Sequence, residues 1–381
     1  MVEPKMDIYD ELGVRKVVNG YATLTRLGGS IMPTEVLEAM NEAARYFVDI
    51  DELQKKVGEK IAELTRNEAA YVSCGAAAGL VLSAAACMTG LDPEKRARLP
   101  HTNGMRNEVI VHKFGRVGYD FAIRQTGAEL VEIGTEAGTS PEDMERAISD
   151  RTAAIFYFYN ITRMKGLVPL EQGIEIARRR GVPLIVDAAA QIPPADNLWR
   201  FTRMGADLAL FSGGKGLCGP QSSGLILGRK DLIEACAFNA CPRAFIGRPM
   251  KVGKEEAVGL LAAVKWYLSL DHDKLMKTYE GQVQYVIDEF SGLAHTSARR
   301  SFPSEAGQPM PRAEIIFDEQ DLGMTRDDIL AQLREGEPCI ELAPAGTSGI
   351  FVNPQTLEPG QERIIVGRIK RIVYKGRSMG Q

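Results

Sequence analysis

Residues 206–220 read ADLALFSGGKGLCGP: an apolar, strand-like run passes straight into a turn where one lysine, Lys215, stands among glycines. No acidic residue in 211–220 is there to pair with it. A phosphate-binding loop would need Ser or Thr after the lysine, and Gly216 follows instead, so a nucleotide cradle with its magnesium ligand is excluded. A solvated turn lysine is the ordinary alternative. Upstream, GVPLIVDAAAQ (181–191) ends a wholly apolar run on Asp187. A carboxylate at the carboxyl end of a buried parallel strand lies where open α/β sheets hold ligands. Either Asp187 caps the next helix or accepts loop amides, or it meets a cation.

Working outward, the apolar runs AAIFYFY, PLIVDAA, DLALFSGG and SGLILG alternate with helical or loop stretches such as LEQGIEIARRRGV. This pattern predicts an α/β fold with a mostly parallel central sheet buried on both faces. Beyond about residue 250 the texture changes to KEEAVGLLAAVKWYLSL, RAEIIFD, CIELAP and ERIIVGRIKRIVYKG, which predicts a smaller α+β domain. Its TRDDILAQLREG has the spacing of a capping box from Thr325 to Asp328, with Asp at the usual Glu place. At 381 residues, 45% of them hydrophobic, the chain is long enough for more than one domain. A net charge of −4 argues against a nucleic-acid partner. The acidic start MVEPKMDIYDELG has no signal-peptide layout, and GAAAGLVLSAAACMTG is too short to span a bilayer, so a cytoplasmic protein without membrane contact is expected. Six scattered cysteines (Cys74, Cys87, Cys218, Cys236, Cys241, Cys339) form no CxxC pair, so neither a disulfide framework nor a metal site is expected.

Within this frame Asp187 and Lys215 make a pair with a chemical purpose. Asp187 is placed to meet the protonated ring nitrogen of pyridoxal 5'-phosphate, and Lys215, one strand further on, is the candidate Schiff-base lysine. Desolvation would favour its free amine as nucleophile and base, and the glycines around it would leave room for the ring. The cofactor also needs an anion site. In YVSCGAAAGLVLSAAACM (71–88) an apolar start leads through the small-residue turn Ser73, Cys74, Gly75, Ala76, Ala77 into a long helix whose first N–H groups could hold a phosphate. Ser212 could add a hydroxyl to the same phosphate. His112, in VIVHKFGR, could stack on the pyridine face; Asn160, in FYFYNIT, and Gln191 could lie near the ring oxygen. A lone histidine is more often a satisfied structural residue, so His112 rests on its order relative to the other parts.

The order of these parts (small-residue turn, stacking residue, Asn loop, Asp strand, Ser-x-x-Lys) resembles that of the fold-type-I pyridoxal-phosphate enzymes across most of the chain. More narrowly, VVNGYATLTRLGGSIMP (17–33) and GRPMKVGKEEAVGLLAA (247–263) resemble the group of bacterial selenocysteine synthase and D-glucosaminate-6-phosphate ammonia-lyase. The resemblance implies an aspartate-aminotransferase-like fold. Residues 1–45 would serve the active site and small domain, 46–255 would form the large cofactor-binding domain, and 256–381 the small C-terminal domain. It also implies a homodimer or higher oligomer with sites at subunit interfaces, where Arg248 or Lys251 could reach a neighbour's phosphate. The chain starts close to VVNG and is acidic, so no tRNA-holding domain and no selenium transfer to tRNA are expected.

A small anionic amino acid or amino sugar acid then becomes the expected substrate, and an ammonia-lyase-type β-elimination through an α-carbanion the expected reaction. That reaction needs a base, an electron sink and an acid for the leaving hydroxyl. Lys215 and the cofactor supply the first two; Thr23, Arg26 and His112 are candidates for the third. Asn19, Thr23, Arg26, Arg243, Arg248 and Lys251 are the candidate substrate-binding residues, the last three belonging with Lys254 to a basic cluster that a solvated face would equally explain. A racemase or an aldolase would use the same Lys215 and Asp187. A desulfurase would need a mobile thiol, whereas Cys339 sits in a strand-like run and Cys218 lies too near the lysine. A non-catalytic binding protein on the same scaffold would have little reason to keep both Lys215 and Asp187.

Overall fold

The computed structural model describes residues 6–374. In chain order its strands are β1 (Val17–Gly20), β2 (Ala69–Ser73), β3 (Glu108–His112), β4 (Glu129–Ile133), β5 (Thr152–Phe158), β6 (Leu184–Asp187), β7 (Leu208–Ser212), β8 (Gly224–Gly228), β9 (Thr296–Ser301), β10 (Arg312–Phe317), β11 (Cys339–Ala345) and β12 (Gly349–Val352). They fall into two compact units. The larger comprises 30–270 with 306–308, and the smaller comprises the stretches up to Gly29, Asp271–Glu305 and from Pro309 onward.

The larger unit is built on a seven-stranded sheet in the order β2-β8-β7-β6-β5-β3-β4. β3 runs parallel to β4 and β5, β5 to β6, and β6 to β7, while β8 runs against both β7 and β2. Since β2 and β7 both oppose β8, they share one direction, and the carboxyl ends of every strand except β8 lie along one edge. Ile110, Ile155, Phe156, Ile185, Leu208, Leu210 and Ile226 are buried throughout, as strands covered on both faces require. The helix Ala76–Thr89 carries no charge and buries eleven of its 14 residues. By contrast Leu170–Arg180 is amphipathic, burying Ile174, Ile176 and Ala177, and stops at Gly181 in the left-handed region. The long helix Lys254–Ser269 packs against the helices Thr34–Ala43 and Ile50–Thr65.

In the smaller unit a five-stranded sheet has the order β1-β11-β12-β10-β9. β1 pairs in parallel with β11; the other neighbours are antiparallel. Val286, Phe290, Ile315, Ile329, Leu333, Ile350, Ile365 and Ile369 form its core. The expected capping box is present even with aspartate in the last place. Thr325 Oγ1 accepts the Asp328 N–H at 3.2 Å, and Asp328 Oδ2 accepts the Thr325 N–H at 2.9 Å.

Candidate active site

At the shared edge of the large sheet, strand register sets the candidate residues in a row. Ser73 and Ser212 both lie opposite Gly224, on either side of β8, so two strand spacings, roughly 10 Å, separate them. Asp187 stands opposite Phe158 of β5 on one side and Leu210 of β7 on the other. Gly224 was not singled out in the sequence. A Cβ there would collide with the Gly75 backbone, so glycine at the start of β8 lets the turn after β2 come down onto the sheet. The signal for it was the glycine opening the strand-like SGLILG.

From that edge the chain turns into the helix Ala76–Thr89. Its N-cap, Gly75, has φ 139° and offers no side chain to the first helical N–H groups. Ser73 Oγ is turned to the Gly75 carbonyl at 2.9 Å. Cys74, Gly75 and Ala76 are half-buried and Ala77 is exposed, and nothing lies within 4 Å of where a Gly75 Cβ would stand. An uncapped helix start with its dipole toward an open turn fits a phosphate dianion.

Asp187 Oδ1 accepts the Ala189 N–H at 3.0 Å. Burial raises the carboxyl's pKa, against which that hydrogen bond and the charge of Lys215 act to lower it. A desolvated carboxylate so placed is suited to a cation. Beyond β7, the Lys215 carbonyl accepts the Cys218 N–H at 2.9 Å, Gly219 N–H reaches the Gly213 carbonyl at 2.8 Å, and Gly213 N–H reaches the Ser223 carbonyl at 2.9 Å. The turn is therefore closed on itself. The glycines flanking Lys215 are filled from outside: a Cβ at Gly213 would strike Ser223 Oγ, one at Gly214 the Gln221 side chain, and one at Gly216 the Ile192 carbonyl. Space at these positions is taken by protein, and the glycines serve close packing that holds the lysine's backbone.

The remaining candidates of the larger unit have other partners. His112, at the end of β3, is 4% exposed, meets Tyr157 edge-on at 5.1 Å, and accepts the Val168 N–H on Nε2 at 3.4 Å. Burial lowers its pKa to about 4, so the imidazole is neutral at pH 7. Asn160 caps the short helical turn after β5, its Oδ1 accepting the Thr162 N–H at 3.0 Å. Gln191 donates Nε2 to the Ala306 carbonyl at 2.8 Å. Arg243 pairs with Asp51 at 3.1 Å and donates to the Ala237 carbonyl at 3.2 Å. Arg248 and Lys251 are exposed. A broad cleft lined by Gln54, Ala70, Tyr71, Ile233 and Phe238 lies toward the amino end of β2, away from Ser73.

In the smaller unit Asn19 holds its own turn, donating Nδ2 to the Ala22 carbonyl at 2.9 Å and accepting the Tyr21 N–H at 3.0 Å. Thr23 is half-buried beside it. Arg26 grips Glu341 with both terminal nitrogens, at 3.0 and 2.9 Å. That grip, with a second from Arg334, keeps the Glu341 carboxyl below its ordinary range. His295, Asp318 and Asp321 converge on the exposed surface of the same unit.

Comparison with known proteins bears on this geometry. The SelA family, described as L-seryl-tRNA selenium transferase, matches residues 17–280. The D-glucosaminate-6-phosphate ammonia lyase of Salmonella typhimurium is 34% identical over 373 residues, 96% of this chain and 98% of that protein. The 5'-C-glycyluridine monooxygenase-decarboxylase of a Streptomyces species is also 34% identical, over 96% of this chain and 92% of its own. Among solved structures, a D-glucosaminate-6-phosphate ammonia-lyase superposes with a TM-score of 0.86 at 33% identity, covering 97% of this chain and 99% of that one. A serine palmitoyltransferase structure with a bound pyridoxal-phosphate adduct shares the fold at a TM-score of 0.58 and 13% identity, over 94% of this chain and 87% of the other. The architecture is that of the fold-type-I pyridoxal-phosphate enzymes.

Proposed function

The chain belongs to the SelA family, and from that premise we propose that it is a pyridoxal-phosphate-dependent lyase that releases ammonia, through an initial loss of water, from a small anionic β-hydroxy amino acid or 2-amino sugar acid. The observation that carries the reading is the juxtaposition of Asp187, at the end of β6, with Lys215, on the turn after the neighbouring β7. When bound, the cofactor supplies the electron sink for charge developing at the substrate Cα.

The protein's own groups supply the rest. N–H groups at the start of the helix Ala76–Thr89, with the Ser212 hydroxyl, would hold the phosphate, while Ser73 braces the turn through its bond to the Gly75 carbonyl. Asp187 would hold the ring nitrogen as a cation, a charge that would offset the cost of burying the carboxylate. The Lys215 amine takes the Cα proton as base. The Cβ–oxygen bond then breaks as protonated Lys215 returns its proton to the departing hydroxyl, which leaves as water, and hydrolysis of the dehydrated product releases ammonia and a 2-oxo acid. Arg248 and Lys251 are proposed to bind an anion, the substrate's or the cofactor phosphate of a neighbouring subunit in a homo-oligomer. Arg26 enters this scheme only if it leaves Glu341, which makes it the weaker choice for the leaving-group acid.

Equal identity to a monooxygenase-decarboxylase favours one second reading, in which the bond broken at Cα is the one to the carboxylate. To test both, β-hydroxy amino acids and 2-amino sugar acids are screened for ammonia, 2-oxo acid, carbon dioxide and oxygen uptake. Solvent deuterium at Cα is followed in the same tubes. Ammonia with a 2-oxo acid is expected; α-deuteration with inversion and no ammonia would make the enzyme a racemase, and carbon dioxide with oxygen uptake would favour the second reading. Purified protein should be yellow, borohydride reduction should leave the pyridoxyl label on Lys215, and Asp187→Asn should fold but lose most turnover. A label on another lysine, or an Asn variant at the parent rate, would remove the basis of the proposal.

A further inference from the structure

Ala306–Gln308 pack with the larger unit, although Glu305 and Pro309 on either side belong to the smaller one. Gln308 is 2% exposed and donates Nε2 to the Ile192 carbonyl at 2.7 Å. Gln191, 4% exposed, donates Nε2 back to the Ala306 carbonyl at 2.8 Å. The two amides thus clasp residues 191–192 to residues 306–308 in both directions. Asn197 adds a third hold, donating Nδ2 to the Gln191 carbonyl at 2.7 Å.

The clasped segment bears directly on the lysine turn. Ile192 offers the carbonyl that a Cβ at Gly216 would strike, so this oxygen lies against the backbone of the residue that follows Lys215. Leu217, next in line, is fully buried. On its other side the turn is set by Ser223 and Gln221, which press on Gly213 and Gly214. We propose that Gln308 and Gln191 are positioning residues for Lys215: their clasp sets the Ile192 carbonyl, the carbonyl sets Gly216, and Gly216 sets the direction in which the lysine leaves the turn. The proposal rests on the reading of Lys215 as the cofactor-bearing lysine. It gives Gln191 a role that does not require its side chain to touch the ring.

The test uses the full chain and two measurements, one of which needs no cofactor. Acylation by acetic anhydride, mapped by mass spectrometry, gives the labelling of Lys215 relative to the exposed Lys230. On mixing with pyridoxal phosphate, the rate at which visible absorbance appears, and the pH midpoint of that absorbance, report capture at Lys215. In Gln308→Leu the Lys215 to Lys230 labelling ratio should rise about tenfold and capture should slow about tenfold, the size expected for one buried hydrogen bond. The pH midpoint should move with them, a change that general loosening away from the turn does not cause. Should Gln308→Leu not fold, Gln191→Leu breaks the other half of the clasp and carries the same expectation. An unchanged labelling ratio in a folded variant overturns the clasp, whether or not the cofactor binds. If instead the parent fails to capture pyridoxal phosphate at Lys215, the functional reading falls and the labelling ratio still decides the clasp.

Discussion

His112 ends β3 with its imidazole buried, and burial alone lowers its pKa to about 4, against an ordinary value near 6.5. The native state therefore leaves the ring neutral through a range in which the unfolded chain takes up a proton. Stability from this group is fully present above about pH 6.5 and is lost as the pH falls toward 4, by about 3 kcal/mol at 1.36 kcal/mol per unit. The Val168 N–H, which donates to Nε2, requires the same neutral form. His112→Gln should flatten the fall in stability across this window, measured by urea unfolding at pH 7 and pH 4.5; equal falls in parent and variant would show that other groups carry it. In the sequence this residue could be read as a ring-stacking partner because it follows a short apolar strand. Its edge-on contact with Tyr157 and its bond to Val168 depend on chain 45 and 56 residues away, which no local pattern announces.

Among the elements, the helix Arg326–Glu335 owes its start to a spacing visible in the sequence, and Thr325 with Asp328 satisfies two backbone donors at its end. Thr325→Ala should lower stability by about 1 kcal/mol, read as a fall in the denaturant midpoint, because the Asp328 N–H loses its acceptor. An unchanged midpoint would mean that packing of Ile329 and Leu333 alone holds the helix. Other elements were legible by type and not by direction. SGLILG reads as a buried strand, yet nothing in its composition says that β8 runs against both neighbours. β9, TSARRS, has no apolar alternation because it is an edge strand paired only with β10.

For the whole molecule, the segment after Gly29 leaves an unusual amount of apolar side chain in the open: Ile31, Leu37, Tyr46, Phe47 and Val48 are all exposed, and Phe47 completely. Exposed apolar side chains of this kind suit the homo-oligomer proposed above. Phe47→Glu should weaken self-association by about 2 kcal/mol, the loss typical of a central aromatic anchor, and sedimentation velocity should show smaller species at the same concentration. A variant that sediments like the parent would place the subunit contact elsewhere.

What the sequence by itself determined is what local chemistry dictates. Apolar runs with two covered faces specified the mostly parallel sheet, the glycine-flanked Lys215 and the strand-ending Asp187 marked the edge where a ligand is proposed, and a spacing of three residues placed a helix cap. Partnership was decided by the tertiary structure. Arg26 could be read as free to bind substrate until folding brought Glu341, 315 residues away, against it. Gln191 could be read as a ring contact from its place alone, and only the fold shows that its amide nitrogen is engaged by Ala306, 115 residues on. Gly224 had no assigned role until register set it between Ser73 and Ser212. The physical reason is common to all three: strand and helix periods depend on neighbours in sequence, whereas a charge, an amide or a Cβ-free backbone acquires its use from whatever remote segment the fold presses against it.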